Sequence, residues 1–263
     1  PDNPDRIFAH AQSEYWVGQA AWRIRDRAST ERHWQGYVAE ARKLLERDPD
    51  KARANLEMGY ALGNLCDLYL HENFNVAKAI DHCRRSIAFE KTALQHAPDR
   101  TEISIALANR YGWLADALLA DKSYAEARKA RLSEQAIIDG LVAKDPRNFE
   151  LRFRQSWPLL GMATIALDSG NSQLAAIESA RVIAAIKPLT IEEPRNNDVK
   201  RALARGHYSR AKAFAAFDKA KARMELAETR RLIKELEETQ NQQQALAGFW
   251  KAIAELEQKL QGK

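Results

Sequence analysis

Four prolines recur at nearly even intervals, and no other feature limits the fold of this 263-residue chain so tightly. They stand in Asp48-Pro49, Ala97-Pro98, Asp145-Pro146 and Glu193-Pro194, spaced 49, 48 and 48 residues apart. Proline has no N–H to continue a helix and disfavours helical geometry in the residue before it. Each dipeptide therefore closes one helix and precedes the next. Cys66, Ala115, Ala163 and Ala211 each stand 17 residues after one of these prolines. Gly63, Gly112 and Gly161 lie two or three residues before the first three of them. A second small residue follows about twelve residues later, at Ala79, Ala127, Ala175 and Ala222. Between the two small positions come polar breaks: His71-Glu72-Asn73, Asp121-Lys122-Ser123 and Asp168-Ser169-Gly170-Asn171. Each period thus predicts helix, tight turn, helix, proline. Recurrence at a fixed period is the mark of a solenoid, in which each unit buries its apolar face against its neighbours.

Composition agrees with an all-helical chain. Gly (11) and Pro (8) are scarce, and the abundant residues are those that lose little side-chain freedom in a helix. The net charge of +5 is a small difference between 41 basic and 36 acidic residues, the balance of a solvated surface rather than of a nucleic-acid footprint. Cys66 and Cys83 lack the CxxC spacing of a zinc or redox motif, and the expectation is two reduced, buried thiols in a cytoplasmic protein. No run approaches the ~18 apolar residues that would cross a bilayer. The opening Pro1-Asp2-Asn3-Pro4, without an initiator Met, suggests a piece of a longer protein.

The stretches Leu114-Ala115, Tyr124-Ala125-Glu126-Ala127 and Asp145-Pro146-Arg147-Asn148 resemble the tetratricopeptide repeat, as do Met162-Ala163, Ser169-Gly170-Asn171 and Leu174-Ala175. That family has a 34-residue period, and two additional turns in each helix stretch it to the period seen here. The resemblance covers residues 50 to about 222. It implies an all-α, right-handed α-α superhelix of about five antiparallel helix pairs plus a C-terminal capping helix. The expected units are about 5–49, 50–98, 99–146, 147–194 and 195–240, with residues 241–263 as a capping or dimerising helix beyond the Gln-rich Asn241–Gln244. Pro158, inside the first helix of the fourth unit, predicts a kink next to Trp157.

No phosphate-binding glycine loop, HExxH or GxSxG motif occurs, and the six histidines show no metal-ligand pairing. The expectation is a protein that is not an enzyme and holds no cofactor or metal. In the resembled family the first helix of each pair lines a concave groove. Candidate contact positions, at spacings of three and four on one helix face, include Tyr60 and Asp67, Asn109 and Asp116, Trp157 and Thr164, with Gly63 and Gly112 leaving room among the early ones. Arg205, Tyr208 and Lys212 complete the set in the last unit, with Arg201 a turn earlier. The last group is similar in kind to cationic clamps that hold a peptide's carboxylate, although the family's full clamp is not present. The function expected is a protein-interaction module, the scaffold or sensory arm of a larger bacterial regulator, binding a peptide or partner segment with an acidic or C-terminal end near Arg205. Nucleic-acid binding through the basic 200–223 segment, a small molecule beside Trp157 and a homodimer through the last helix are the alternatives.

Overall fold

In a computed structural model of the chain, residues 3–48, 50–71, 74–239 and 243–262 are described. Pro49, Glu72 and Asn73 of the recurring period, and residues 240–242 around the Gln-rich stretch, lie outside the described residues. Among those described, every regular element is helical: α1 (Pro4–Arg23), α2 (Arg27–Arg47), α3 (Lys51–Leu70), α4 (Val76–His96), α5 (Thr101–Ala120), α6 (Tyr124–Lys144), α7 (Phe149–Arg154), α8 (Ser156–Asp168), α9 (Ser172–Glu192), α10 (Asn197–Phe214), α11 (Lys219–Thr239) and α12 (Gln243–Gln261). The expectation of paired helices separated by tight turns holds among the described residues, with Pro98, Pro146 and Pro194 each just past a helix end, and α12 packs onto the last pair. Contacts divide it into two compact units, residues 1–137 and 138–263, with the boundary inside α6.

Short polar side chains start most of these helices. Asn3, Asp26, Asp50, Asn75, Asn148, Asn171 and Asn196 each accept a hydrogen bond from a backbone N–H in the first turn, satisfying donors that the helix itself cannot. Three of the turns within pairs share one backbone form. Arg25, Lys122 and Gly170 occupy the same place between paired helices, with φ of 61°, 62° and 79°. Only glycine adopts this left-handed geometry without steric cost.

The eight small positions read from the sequence are all fully buried between helices. Cys66, Ala115, Ala163 and Ala211, and their partners Ala79, Ala127, Ala175 and Ala222, all have 0% exposed surface. In the first unit apolar clusters form between successive pairs: Ile7, Leu44 and Ala54; Tyr37, Met58 and Leu62; Trp34, Leu65 and Tyr69; Leu56, Ala93 and Ile103. The second unit has one continuous cluster from Leu159 through Val182, Ile186, Leu203 and Phe214 to Leu236, closed by Leu246, Ile253, Leu256 and Leu260 of α12.

The expected kink is a break. The first helix of the fourth period is interrupted at Gln155, between α7 and α8. Pro158 has no N–H to give the carbonyl of Arg154, and its ring crowds that carbonyl, so the helix parts one residue later.

The expectation of reduced thiols is overturned. Cys66 of α3 and Cys83 of α4 form a disulfide with Cα atoms 5.2 Å apart, both residues fully buried. Cys66 stands at the small crossing position, where the paired backbones approach closely enough for the bridge. Spacing along the chain could not show this, because the pairing arises from the fold of one helix against the next.

Candidate functional site

The second unit brings together residues from two of the expected groups. Trp157 and Leu160 of α8 meet Arg201 and Arg205 of α10 around a cavity of about 260 Å³. Phe153 of α7, Asp198 and Ala202 complete its lining. The break at Gln155 leaves Trp157 38% exposed at the mouth, with the Arg154 guanidinium 4.6 Å from its ring centroid. Arg154 is also held by Glu150 at 3.1 Å. Arg201 donates to Asp198 at 2.7 Å, so its charge is largely answered. Arg205 is exposed and makes no ion pair among the described residues. The cavity therefore combines an apolar wall with one uncompensated guanidinium, a pairing that favours a ligand carrying an apolar group next to an anion.

The other expected residues lie elsewhere. Thr164 is exposed, its hydroxyl donating back to the Leu160 carbonyl at 3.0 Å. Tyr208 is half-buried and donates its hydroxyl to the Ala252 carbonyl of α12 at 3.2 Å, with Phe249 packed edge-on against its ring. It docks the final helix. Lys212 is exposed and makes no ion pair among the described residues.

In the first unit Tyr60, Asp67, Asn109 and Asp116 stand beside a line of buried charges that the sequence reading did not single out. Glu90 of α4, wholly buried, accepts from the Arg110 Nε of α5 at 3.0 Å. Arg110 also lies over the Trp113 ring at 4.1 Å. Burial, only partly opposed by Arg110 and Ser86, pushes Glu90 up to about 7. Asp67 is likewise raised by burial, with Arg110 pulling the other way. One pair further on, Arg131 of α6 bridges Glu134 at 2.6 Å and the exposed Asp116. At the first joint Glu57 accepts from Gln12 at 2.8 Å and from the Tyr37 hydroxyl. Tyr60 and Asn109 are partly buried, the first packed beside Leu56 and Ile103.

Gly63 and Gly112, read as leaving room for a ligand, leave it for neighbouring helices instead. A Cβ on Gly63 would stand 2.3 Å from the Arg110 guanidinium carbon, and one on Gly112 would stand 3.1 Å from Arg131 and Glu134 atoms. Glycine inside a helix without a turn was the signal that could have found these charges. Phe153 also had a signal, since it precedes Trp157 by four residues on the same helical face.

The basic 200–223 segment is mostly neutralised within the chain. His207 and Arg210 both face Glu225, at 2.6 and 3.0 Å. Lys221 pairs with Asp218 at 3.0 Å. Lys219 and Arg223 donate to the carbonyls of Gly262 and Leu260, at 3.0 and 2.9 Å. Their positive charge neutralises the end of α12, where the helix dipole is negative. Among the described residues no group of three or more His, Cys, Asp or Glu side chains could hold a metal ion, and no helix is long and apolar enough to cross a membrane.

No family model matches the sequence, and no curated protein matches it. Solved structures do. The crystal structure of BtubC (BKLC) from P. vanneervenii superimposes with a TM-score of 0.63 at 14% identity, covering 89% of this chain and 84% of that one. A tetratricopeptide repeat protein from Parabacteroides merdae also matches, at 14% identity over 97% of this chain and 100% of that one, with a TM-score of only 0.26. At such identity a likeness shows the fold alone. Together with the recurring small positions and closing prolines, it supports the all-α fold of repeated, paired helices that the sequence led one to expect.

Proposed function

We propose that this chain is a protein-interaction module, a scaffold whose second unit holds an extended segment of a partner protein. An apolar side chain of that segment rests against Phe153, Trp157 and Leu160, and an acidic side chain or C-terminal carboxylate next to it meets Arg205. One observation carries this reading: an exposed indole and an unpaired guanidinium open on the same cavity. Most other basic side chains of α10 and α11 have an acidic or carbonyl partner within the chain, so Arg205 stands apart. Aromatic and arginine side chains are also the residue types that dominate binding energy at protein interfaces. Lys212, likewise unpaired, extends the positive surface along α10.

A peptide array tests the proposal. Peptides ending in an apolar residue, with the terminal carboxylate either free or amidated, are probed with the wild-type chain and with Arg205→Glu and Trp157→Ala variants. Wild type retains free-carboxylate or acidic peptides, and charge reversal at Arg205 weakens them at least tenfold. Equal binding of amidated and free peptides by wild type and Arg205→Glu alike defeats the proposal. The same array run at rising salt separates it from backbone-phosphate recognition, which loses affinity steeply as counterions compete.

A further inference from the structure

The turn between α1 and α2 carries a second cavity, in the first unit and remote in sequence from the proposed peptide site. It measures about 680 Å³ and is lined by Gln19, Trp22, Arg23, Arg25, Arg27 and His71. That volume lies within the range of small-molecule sites. Its wall is aromatic: the Trp22 and His71 rings meet edge to face with centroids 4.7 Å apart. Its rim is cationic, with three guanidiniums and no carboxylate among the described residues of the lining.

Two features set this cluster apart from the charge patterns elsewhere in the chain. Arg23 and Arg25 are both exposed and make no ion pair among the described residues, although most arginines of this protein are paired. Nor do they serve as caps for α1. The carbonyls of Ala20, Ala21 and Trp22 already accept the backbone N–H groups of Ile24, Asp26 and Arg25. Asp26 is engaged too: it accepts from the Ser29 N–H at 3.0 Å, and the Ser29 hydroxyl together with that N–H holds it below the usual carboxylate range. The dipole at the end of α1 amounts to about half a negative charge, far less than the guanidiniums supply.

We infer that this cavity binds a nucleoside di- or triphosphate, with the phosphates on Arg23 and Arg25 and the base against the Trp22–His71 wall. Guanidinium groups match phosphate oxygens in bidentate fashion, and two of them carry more charge than a single carboxylate would need. Every nucleobase presents a flat π-face that an indole can receive. The flat wall and the paired cations are adjacent, as a nucleotide's own two halves are.

The test is calorimetric titration of the full chain with ATP, ADP, adenosine and inorganic pyrophosphate. The proposal expects saturable binding of ATP or ADP, weaker binding of pyrophosphate and still weaker binding of adenosine. Arg23→Ser combined with Arg25→Ser should reduce the affinity for ATP at least tenfold. Both residues are exposed, and an unchanged thermal melt confirms the fold. Trp22→Phe, which keeps a ring in the wall, should weaken ATP less than that pair does. Arg205→Glu should leave nucleotide binding unchanged, which separates this site from the peptide cavity. No saturable ATP or ADP binding, full affinity in the Arg23/Arg25 variant, or pyrophosphate binding as tightly as ATP would each overturn the proposal.

Discussion

The two compact units follow one architectural rule with two kinds of interior. In residues 1–137 the packing between helices contains Glu57, Glu90, Arg110, Arg131 and Glu134, buried and bonded to one another or to Tyr37, and a disulfide ties α3 to α4. In residues 138–263 a continuous apolar cluster does the same task, and the glycine of α10, Gly206, faces Val182 and Ile183 rather than a charge. The small positions that bring helices together are alike in both, so they set the geometry. What fills the joints is free to differ. A polar filling is satisfied only when every partner is present, whereas an apolar one tolerates loss in proportion to the atoms removed.

That difference is broken most sharply at Glu90. Glu90→Ala leaves the Arg110 guanidinium buried with no carboxylate, and a loss of about 3–5 kcal/mol is expected in urea denaturation. Replacing both together, as Glu90→Leu with Arg110→Met, should recover most of it, because neither desolvated charge remains. A double variant as unstable as the single one would show that the pair is not the source of the cost.

The disulfide ranks next. Closing the loop between Cys66 and Cys83, 17 residues apart, restricts the unfolded chain by about 3 kcal/mol. Cys66→Ala with Cys83→Ala should lower the urea midpoint accordingly and abolish its dependence on reductant. If reductant leaves the wild-type midpoint unchanged, the bridge contributes nothing to stability.

Glu90 also gives the polar unit a pH signature. Its folded-state value of about 7 lies above the ordinary 4.5, so between these pH values the folded chain keeps a proton that the unfolded chain has released. Stability conferred by protonated Glu90 is therefore greatest below pH 4.5 and is lost as pH rises toward and through 7. Glu57, raised by burial, acts in the same direction, and His82, lowered by burial, acts oppositely. The difference between wild type and Glu90→Gln isolates the first of these. Thermal melts from pH 5 to 8 should show wild type losing ground to the variant, and parallel curves would contradict the assignment.

How much of this was legible in the sequence follows from what kind of contact each residue makes. Prolines and small residues act on their own helix or at a crossing that recurs each period, so Ala115, Ala163 and Ala211 could be placed by counting. Trp157 and Arg205 could be placed on a common face for the same reason. The contacts that remained hidden join helices whose register depends on side chains from both: Arg110 reaching Glu90, Cys66 reaching Cys83, Tyr208 reaching α12. Periodicity says which face of a helix turns inward. It does not say whether the opposite helix offers a carboxylate, a thiol or a carbonyl there.

Small-to-large and glycine substitutions sharpen the comparison at its fine end. Ala115→Leu, at a fully buried crossing, should cost about 1–3 kcal/mol through overpacking. Gly206→Ala places a Cβ 3.0 Å from the Val182 Cγ1 and 3.2 Å from the Ile183 Cγ1. Those side chains must give way slightly, offsetting the helix-propensity gain of up to ~1 kcal/mol. At Gly140, an exposed position in α6, nothing lies within 4 Å of the added Cβ. The full gain of about 0.5–1 kcal/mol from reduced unfolded-chain freedom should therefore appear as a higher urea midpoint. A Gly140→Ala variant no more stable than Gly206→Ala would mean that the space around glycine does not set these effects, and the reading of Gly63 and Gly112 as room for charged neighbours would weaken with it.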